Sequence, residues 1–342
     1  MSALRFIAAD VGGTNARIAL VQADDAGRIA VLAYRKYPCG EYPSLAAILA
    51  DFVATEAQGH ARADLDRMVI ASAGVVLDEE VINSNLPWRI SLPETRHELQ
   101  LRELHVINDF AAAAHGSQRL DPAESRLLTP GVDVAEPGPA LVIGPGTGLG
   151  AAICIPHPRG TVVLPTEAGM AGFAPGNARE IELLRWMQQR TRHVTTEHFV
   201  SGPGLVNLYD AICALDGAQP ALRAPAAISE AARRGDAIAL DAVLTFCALL
   251  GSVIGDLAVI ASARIVHVAG GIVPQLTDFL PNSDFRTRLV DRGAMRAVLE
   301  RVPVRLIENE RLGVIGAASW YLQHLEDEGT KTPAMQGQAG AA

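Results

Sequence analysis

The sequence predicts an α/β protein with two lobes of related design, and three observations carry this. First, an apolar run from Phe6 to Ala9 meets Asp10, then Gly12-Gly13, Thr14-Asn15 and a second apolar run from Ile18 to Val21. That order reads as a strand, a tight turn and a returning strand, with a carboxylate where the first strand ends. Second, the order comes back in the middle of the chain. Ala140 to Ile143 is a buried-strand run, Gly144-Pro-Gly-Thr-Gly-Leu-Gly150 follows, and another apolar run reaches Ile155. Third, 342 residues suffice for two domains or one large α/β unit with a sizeable core.

The elements follow from local patterns. Strand signals at Leu4–Asp10, Arg17–Gln22 and Ile29–Tyr37 precede any helix, which describes a meander feeding a mixed sheet. Leu45, Ile48, Leu49, Phe52 and Val53 then repeat at helical spacing, with Ser44 placed to cap them. Strands return at Met68–Ala73, Val81–Ile82 and Leu104–Ile107. The Pro/Gly-rich stretch from Thr129 to Pro139 marks a boundary. Beyond the second glycine run the chain becomes mainly helical, at Glu180–Gln189, Gly204–Ala214, Ala226–Arg234 and Asp236–Ser262. A strand at Ile265–Ala269 runs into Gly270-Gly271 and is expected to lead into another helix. A last helix runs from Gly313 to about Leu325.

Composition narrows the functional classes. With 49% hydrophobic and 20% charged residues the chain is globular, and a net charge of −9 argues against a nucleic-acid-binding face. The segment from Phe246 to Ala263 is the most hydrophobic, but Asp256, Gly251 and Gly255 interrupt it, so a buried helix is expected and no membrane partner. Cys39, Cys154, Cys213 and Cys247 form no CxxC pair and read as free thiols of a reducing cytosol. No secretory leader is expected.

Three glycine turns follow three apolar strands, at Gly12-Gly13, Gly144–Gly150 and Gly270-Gly271. Glycine lets backbone N–H groups approach a phosphate closely, and a carboxylate such as Asp10 suits hydrated Mg²⁺. An ordinary Gly-Gly hairpin is the alternative for the first turn. None of the three continues as Gly-Lys-Ser/Thr, and GPGTGLG leads into an apolar strand-like run instead of the helix of a dinucleotide fingerprint. In His105-Val-Ile-Asn108-Asp109, a strand delivers an amide and a carboxylate to its carboxyl end, where α/β sheets hold ligands. Asp109 suits a general base toward a hydroxyl, or a simple helix cap. Glu167 and Glu197 lie in polar, turn-like surroundings and suit vicinal hydroxyls, or open solvent. The nine histidines show no metal-ligand spacing, Arg190, Arg192 and His193 read as a solvated helix end, and the three tryptophans as packing anchors.

Taken together, these segments resemble the bacterial glucokinase family. The resemblance rests on ADVGGTNARIAL at Ala9–Leu20, INDFAA at Ile107–Ala112, GPGTGLG at Gly144–Gly150, LPTEAG at Leu164–Gly169, FAP at Phe173–Pro175, SGPGLVNLYDAI at Ser201–Ile212 and AGGIVP at Ala269–Pro274. It implies a two-domain, actin-like (ribonuclease H-like) ATPase fold with nucleotide and sugar in the cleft between lobes. The small α/β domain would be 1–118, completed by the helix 312–326. The large domain would be 119–311, with a disordered tail at 327–342.

The resemblance implies ATP-dependent phosphorylation of glucose at its 6-hydroxyl, the entry step of glycolysis. Asp109 would be the catalytic base. Asn85, Asn108, Asp109, Glu167, Met170 and Glu197 would contact the sugar. Gly12, Gly13, Thr14, Asn15, Gly146, Thr147, Gly148, Gly270 and Gly271 would face ATP, and Asp10 would hold Mg²⁺ through water. A cytoplasmic homodimer is the expected assembly, and domain closure would keep water from the transferred phosphoryl group.

One residue departs from the family pattern. Where Glu-Gly-Gly-His is usual, this chain reads Glu167-Ala168-Gly169-Met170. A thioether is a weak acceptor and cannot donate. Losing one hydrogen bond of about 0.5–1.5 kcal/mol would lower glucose affinity roughly 3- to 10-fold and relax discrimination at C2. A hexose kinase of altered or broadened specificity, or a weakly catalytic sugar-sensing regulator, is therefore the alternative. Sugar-responsive repressors of this type carry a DNA-binding helix pair ahead of the first glycine turn, and with Asp10 in the first glycine-turn segment none is expected here. A chaperone- or actin-type ATPase would not need the Asn108, Asp109, Glu167, Glu197 set.

Overall fold

Strand β1 (Leu4–Val11) is continuously buried from Phe6 to Ala9, the pattern of a central strand covered on both faces. The computed structural model describes residues 4–82, 86–132, 138–158 and 160–331. β2 (Asn15–Ala23) returns antiparallel along β1, with Leu4 opposite Ala23 and Val11 opposite Ala16. β3 (Ile29–Pro38) completes the meander. Helix α1 (Leu45–Thr55) starts where the Ser44 hydroxyl accepts the Ala47 N–H at 3.1 Å, and it buries Leu45, Ile48, Leu49 and Phe52. β4 (Arg67–Ser72) pairs parallel on the other side of β1. A small antiparallel ribbon, β5 (Val75–Leu77), β6 (Glu80–Ile82) and β7 (Ile90–Ser91), leads through α2 (Leu92–Glu98) to β8 (Glu103–Asn108) and α3 (Asp109–Ser117). The five-stranded sheet has the order β3-β2-β1-β4-β8, the first three strands antiparallel and β1, β4 and β8 parallel.

The second sheet repeats that plan. After β9 (Ser125–Thr129), strands β10 (Ala140–Pro145), β11 (Leu149–His157) and β12 (Gly160–Thr166) form an antiparallel meander. Helices α4 (Ala178–Gln188), α5 (Gly202–Leu215), α6 (Pro225–Arg233) and α7 (Ala237–Ile260) follow. β13 (Ile265–Val268) then pairs parallel with β10. Beyond α8 (Phe285–Val290) and α9 (Arg296–Leu299), β14 (Val304–Ile307) pairs parallel with β13. The order is β12-β11-β10-β13-β14-β9. A three-strand meander extended by two parallel strands thus occurs twice, and the strand–turn–strand echo of the sequence falls on β1–β2 and β10–β11.

Contacts divide the chain into two units. One runs to Leu120 and resumes at Asn309, and the other is Asp121–Glu308. The last helix, α10 (Leu312–Lys331), belongs to the first unit, where it packs on α3 through Gly116 and Gly316. It runs past residue 326, where the sequence suggests a helix end and a tail; residues 332–342 lie outside the described ones. The helix expected after Gly270-Gly271 is a single 3₁₀ turn, Val273–Leu276, which Pro274 opens. α7 is long and apolar enough to cross a membrane, yet Phe246, Cys247, Leu249, Leu250 and Ile254 are buried in the core of the second unit.

Candidate functional site

In the first unit, register brings the candidate residues to one sheet edge. β1, β4 and β8 run parallel with Val11 beside Ser72 and Ser72 beside Asn108. The carboxyl ends of these strands therefore share one edge. The Val11 and Asn108 backbones lie two strand spacings apart, about 10 Å. Asp10 and Asp109 are each one residue from that row.

The Asp10 carboxylate meets the Arg17 guanidinium at 3.2 Å, directly across the β1–β2 ladder. Burial pushes its carboxyl above the ordinary range, against the pull of Arg17. The start of α10 adjoins it: a Cβ on Gly313 would overlap the Asp10 carboxylate. The turn beyond β1 closes with the Gly12 N–H donating to the Asn15 carbonyl at 3.0 Å, leaving Thr14 exposed.

At the end of β8 the Asn108 side-chain oxygen accepts the Phe110 and Ala111 N–H groups, each at 3.0 Å. Asn108, not Asp109, is therefore the cap of α3. Its amide N–H₂ is not used in that cap. Asp109 stands at the first helical position, with Oδ1 2.9 Å from the Phe110 nitrogen. Asn85 lies outside the described residues.

In the second unit the turn between β10 and β11 is held from two sides. The Gly146 N–H donates to the Gly148 carbonyl at 2.8 Å, and the Gly146 carbonyl accepts the Gly202 N–H, the first of α5, at 2.7 Å. The positive end of a 14-residue helix thus abuts the turn, an arrangement that favours anions. Thr147 is exposed at the tip. Gly270, with φ +86°, crosses so closely that a Cβ there would sit 2.7 Å from the Pro145 carbonyl. Gly271 beside it is exposed.

Glu197 ties this turn to the acidic segment. Its Oε2 accepts the Leu149 N–H at 2.7 Å, and a Cβ on Gly148 would overlap that oxygen. A Cβ on Gly169 would overlap the Leu149 carbonyl and come within 3.2 Å of Glu197 Oε2. The 3₁₀ turns Ala168–Met170 and Thr196–His198 are linked by the Thr196 N–H donating to the Ala171 carbonyl at 2.8 Å. Glu167, Met170 and Glu197 are therefore brought together with Gly148, Glu167 exposed at the head of its turn. The Met170 side chain is 45% exposed, and its carbonyl lies 3.1 Å from His193 Nε2. His193 thus does more than end a helix: it braces the turn that carries Met170. Arg190 does match the expected exposed end, its guanidinium 3.4 Å from the centre of the Trp186 ring.

The sequence assigns Arg17 no role, and it reads Gly313 only as a helix start, His193 as a solvated helix end and Cys39 as a free thiol. The hairpin register was the available signal for Arg17, which a short turn places opposite Asp10. The other three are set by tertiary contacts. Among the described residues no three His, Cys, Asp or Glu side chains cluster as metal ligands. A single carboxylate such as Asp10 fits Mg²⁺, which keeps several waters and takes its other ligands from phosphates.

The glucokinase family model matches residues 7–324. The chain is 44% identical over 322 residues to a glucokinase-like protein of Xylella fastidiosa, covering 93% of this chain and 94% of that protein. It is 39% identical over 330 residues to the glucokinase of Chromobacterium violaceum, covering 95% and 91%. Among solved structures, glucokinase from an Antarctic psychrotroph superposes with a TM-score of 0.79 at 32% identity, covering 92% of this chain and 98% of that one. A ROK family glucokinase from Streptomyces griseus, in complex with glucose and AMPPNP, superposes with a TM-score of 0.61 at 25% identity, covering 92% and 98%. The fold is the actin-like ATPase fold of these sugar kinases. The chain belongs to the glucokinase family.

Proposed function

We propose that this protein transfers the γ-phosphoryl group of ATP to the 6-hydroxyl of glucose in the cytoplasm, acting as a homodimer. The observation that carries the reading is the Glu197–Leu149 hydrogen bond, which joins a hydroxyl-binding type of carboxylate to a glycine turn suited to phosphate. The family match supports a sugar kinase, and the glucose and AMPPNP bound by the Streptomyces griseus relative support these two substrates.

Phosphoryl transfer requires in-line positioning and charge stabilisation more than covalent help. In this reading Asp109 accepts the proton of the 6-hydroxyl as the oxygen attacks. The amide of Asn108 donates to a neighbouring hydroxyl while its oxygen caps α3. Glu167 and Glu197 accept hydrogen bonds from sugar hydroxyls, with Met170 and Asn85 at the sugar's rim. Gly12–Asn15 and Gly146–Gly148 would line the phosphates, the Gly12 and Gly146 N–H groups closing their turns and the Gly13 and Thr147 N–H groups serving as donors, and Gly270 and Gly271 would border the nucleoside. Asp10 would hold Mg²⁺ through water; the ion, when bound, offsets charge on the phosphate oxygens.

Met170 favours a second reading, a hexose kinase of broader specificity. Its exposed thioether offers no donor where a hydroxyl would be read. A coupled ADP-release assay across glucose, mannose, glucosamine and fructose separates the two. Glucose preferred at least 10-fold over the others in kcat/KM supports a glucokinase, and comparable values support the broader enzyme. Hexose binding by calorimetry without turnover would overturn both in favour of a sugar sensor.

A further inference from the structure

Cys39 is fully buried and belongs to no disulfide. It follows Pro38, the last residue of β3, which is opposite Asn15 at the start of β2. Proline has no N–H, so the β2–β3 ladder cannot close there from the β3 side. The chain continues the contact one residue later. The Cys39 N–H donates to the Thr14 carbonyl at 2.9 Å, and the Cys39 thiol donates to the Gly12 carbonyl at 3.3 Å. Cys39 is itself held, its carbonyl accepting the Trp88 indole N–H at 3.2 Å. One residue thus grips two carbonyls of a turn built from Gly12, Gly13 and Thr14, the most pliable stretch of the hairpin.

The grip has a directional consequence. In a trans peptide the C=O and the following N–H point opposite ways. With the Gly12 carbonyl aimed at the buried thiol, the Gly13 N–H is aimed away from it.

We propose that Cys39 is a positioning residue for the nucleotide: by holding the Gly12 and Thr14 carbonyls, it presents the Gly13 N–H to a phosphate oxygen. The inference rests on the ATP role proposed above for this turn. Burial pushes the thiol above its ordinary range, so it remains an S–H donor at neutral pH. Trp88, bonded to the same residue, becomes a reporter of the turn.

The test compares Cys39→Ala with Cys39→Ser in the full-length protein, reading KM for ATP, KM for hexose, kcat and melting temperature. Cys39→Ala is expected to raise KM for ATP about 5-fold, the worth of one hydrogen bond of about 1 kcal/mol, and to leave KM for hexose unchanged. Cys39→Ser, which keeps a donor, is expected to stay within twofold of the parent. The tryptophan fluorescence change on adding Mg·ADP should disappear in Trp88→Phe. Equal loss in both Cys39 variants, or a lower melting temperature with unchanged KM for ATP, would reduce Cys39 to a packing residue and overturn the proposal. A parent protein that binds no Mg·ADP by calorimetry would instead overturn the ATP role, and this inference with it.

Discussion

The Glu197 carboxylate accepts the Leu149 N–H at 2.7 Å through Oε2, and a Cβ on Gly169, between Glu167 and Met170, would come within 3.2 Å of the same oxygen. With the sugar role proposed for Glu197, a carboxylate that also fixes the neighbouring backbone should affect both substrates. Glu197→Gln keeps the shape and removes the charge. A hydrogen bond to a charged group contributes about 1.5–3 kcal/mol, so kcat/KM for hexose should fall by at least about 10-fold. KM for ATP should rise in the same variant. Initial rates on a two-substrate grid check this, and a change confined to the hexose terms would show that the Leu149 contact is only structural.

Met170 carries the specificity prediction. His193 already braces the Met170 carbonyl, so the backbone of that turn should tolerate a new side chain. Met170→His should lower KM for glucose about 3- to 10-fold and raise glucose over mannose, because an imidazole can donate where a thioether cannot. Steady-state constants for glucose, mannose and glucosamine measure it. Unchanged constants would mean that position 170 does not read the sugar.

Stability should fall in mild acid, and His115 on α3 is one cause. Burial lowers its pKa to about 4, with nearby Arg119 adding to the effect. The folded state therefore holds His115 neutral, whereas the unfolded chain takes up a proton near pH 6.5. The contribution is complete above about pH 6.5 and is lost as pH falls toward 4, on the order of 3 kcal/mol over that window. His267, lowered to about 4 by burial and Arg305, acts in the same direction. Thermal melts from pH 7 to pH 5 should show a falling midpoint, with a shallower slope in His115→Gln.

What the sequence made legible was local. Glycine turns between apolar runs located β1–β2 and β10–β11, because a turn and its two strands are adjacent in the chain. The start of α1 was legible because Ser44 supplied a cap. The contacts that organise the site were less so, because they join distant segments: Leu149 with Glu197, Asp10 with Gly313, Gly12 with Cys39. Which of Asn108 and Asp109 caps α3 was not legible either, because adjacent residues of similar capping preference differ only in where their side chains point. The hairpin register opposite Asp10 was in principle readable, and would have named Arg17.

Asp109 is the residue proposed to take the proton of the acceptor hydroxyl. The most direct measurement is hexose-dependent ADP release by Asp109→Asn beside the parent, with hexose binding followed by calorimetry. In Asp109→Asn, kcat is expected to fall at least about 100-fold, the lower range for removing a general base, while hexose Kd changes less than about 5-fold. Turnover within 10-fold of the parent in a variant that still binds hexose would contradict that role.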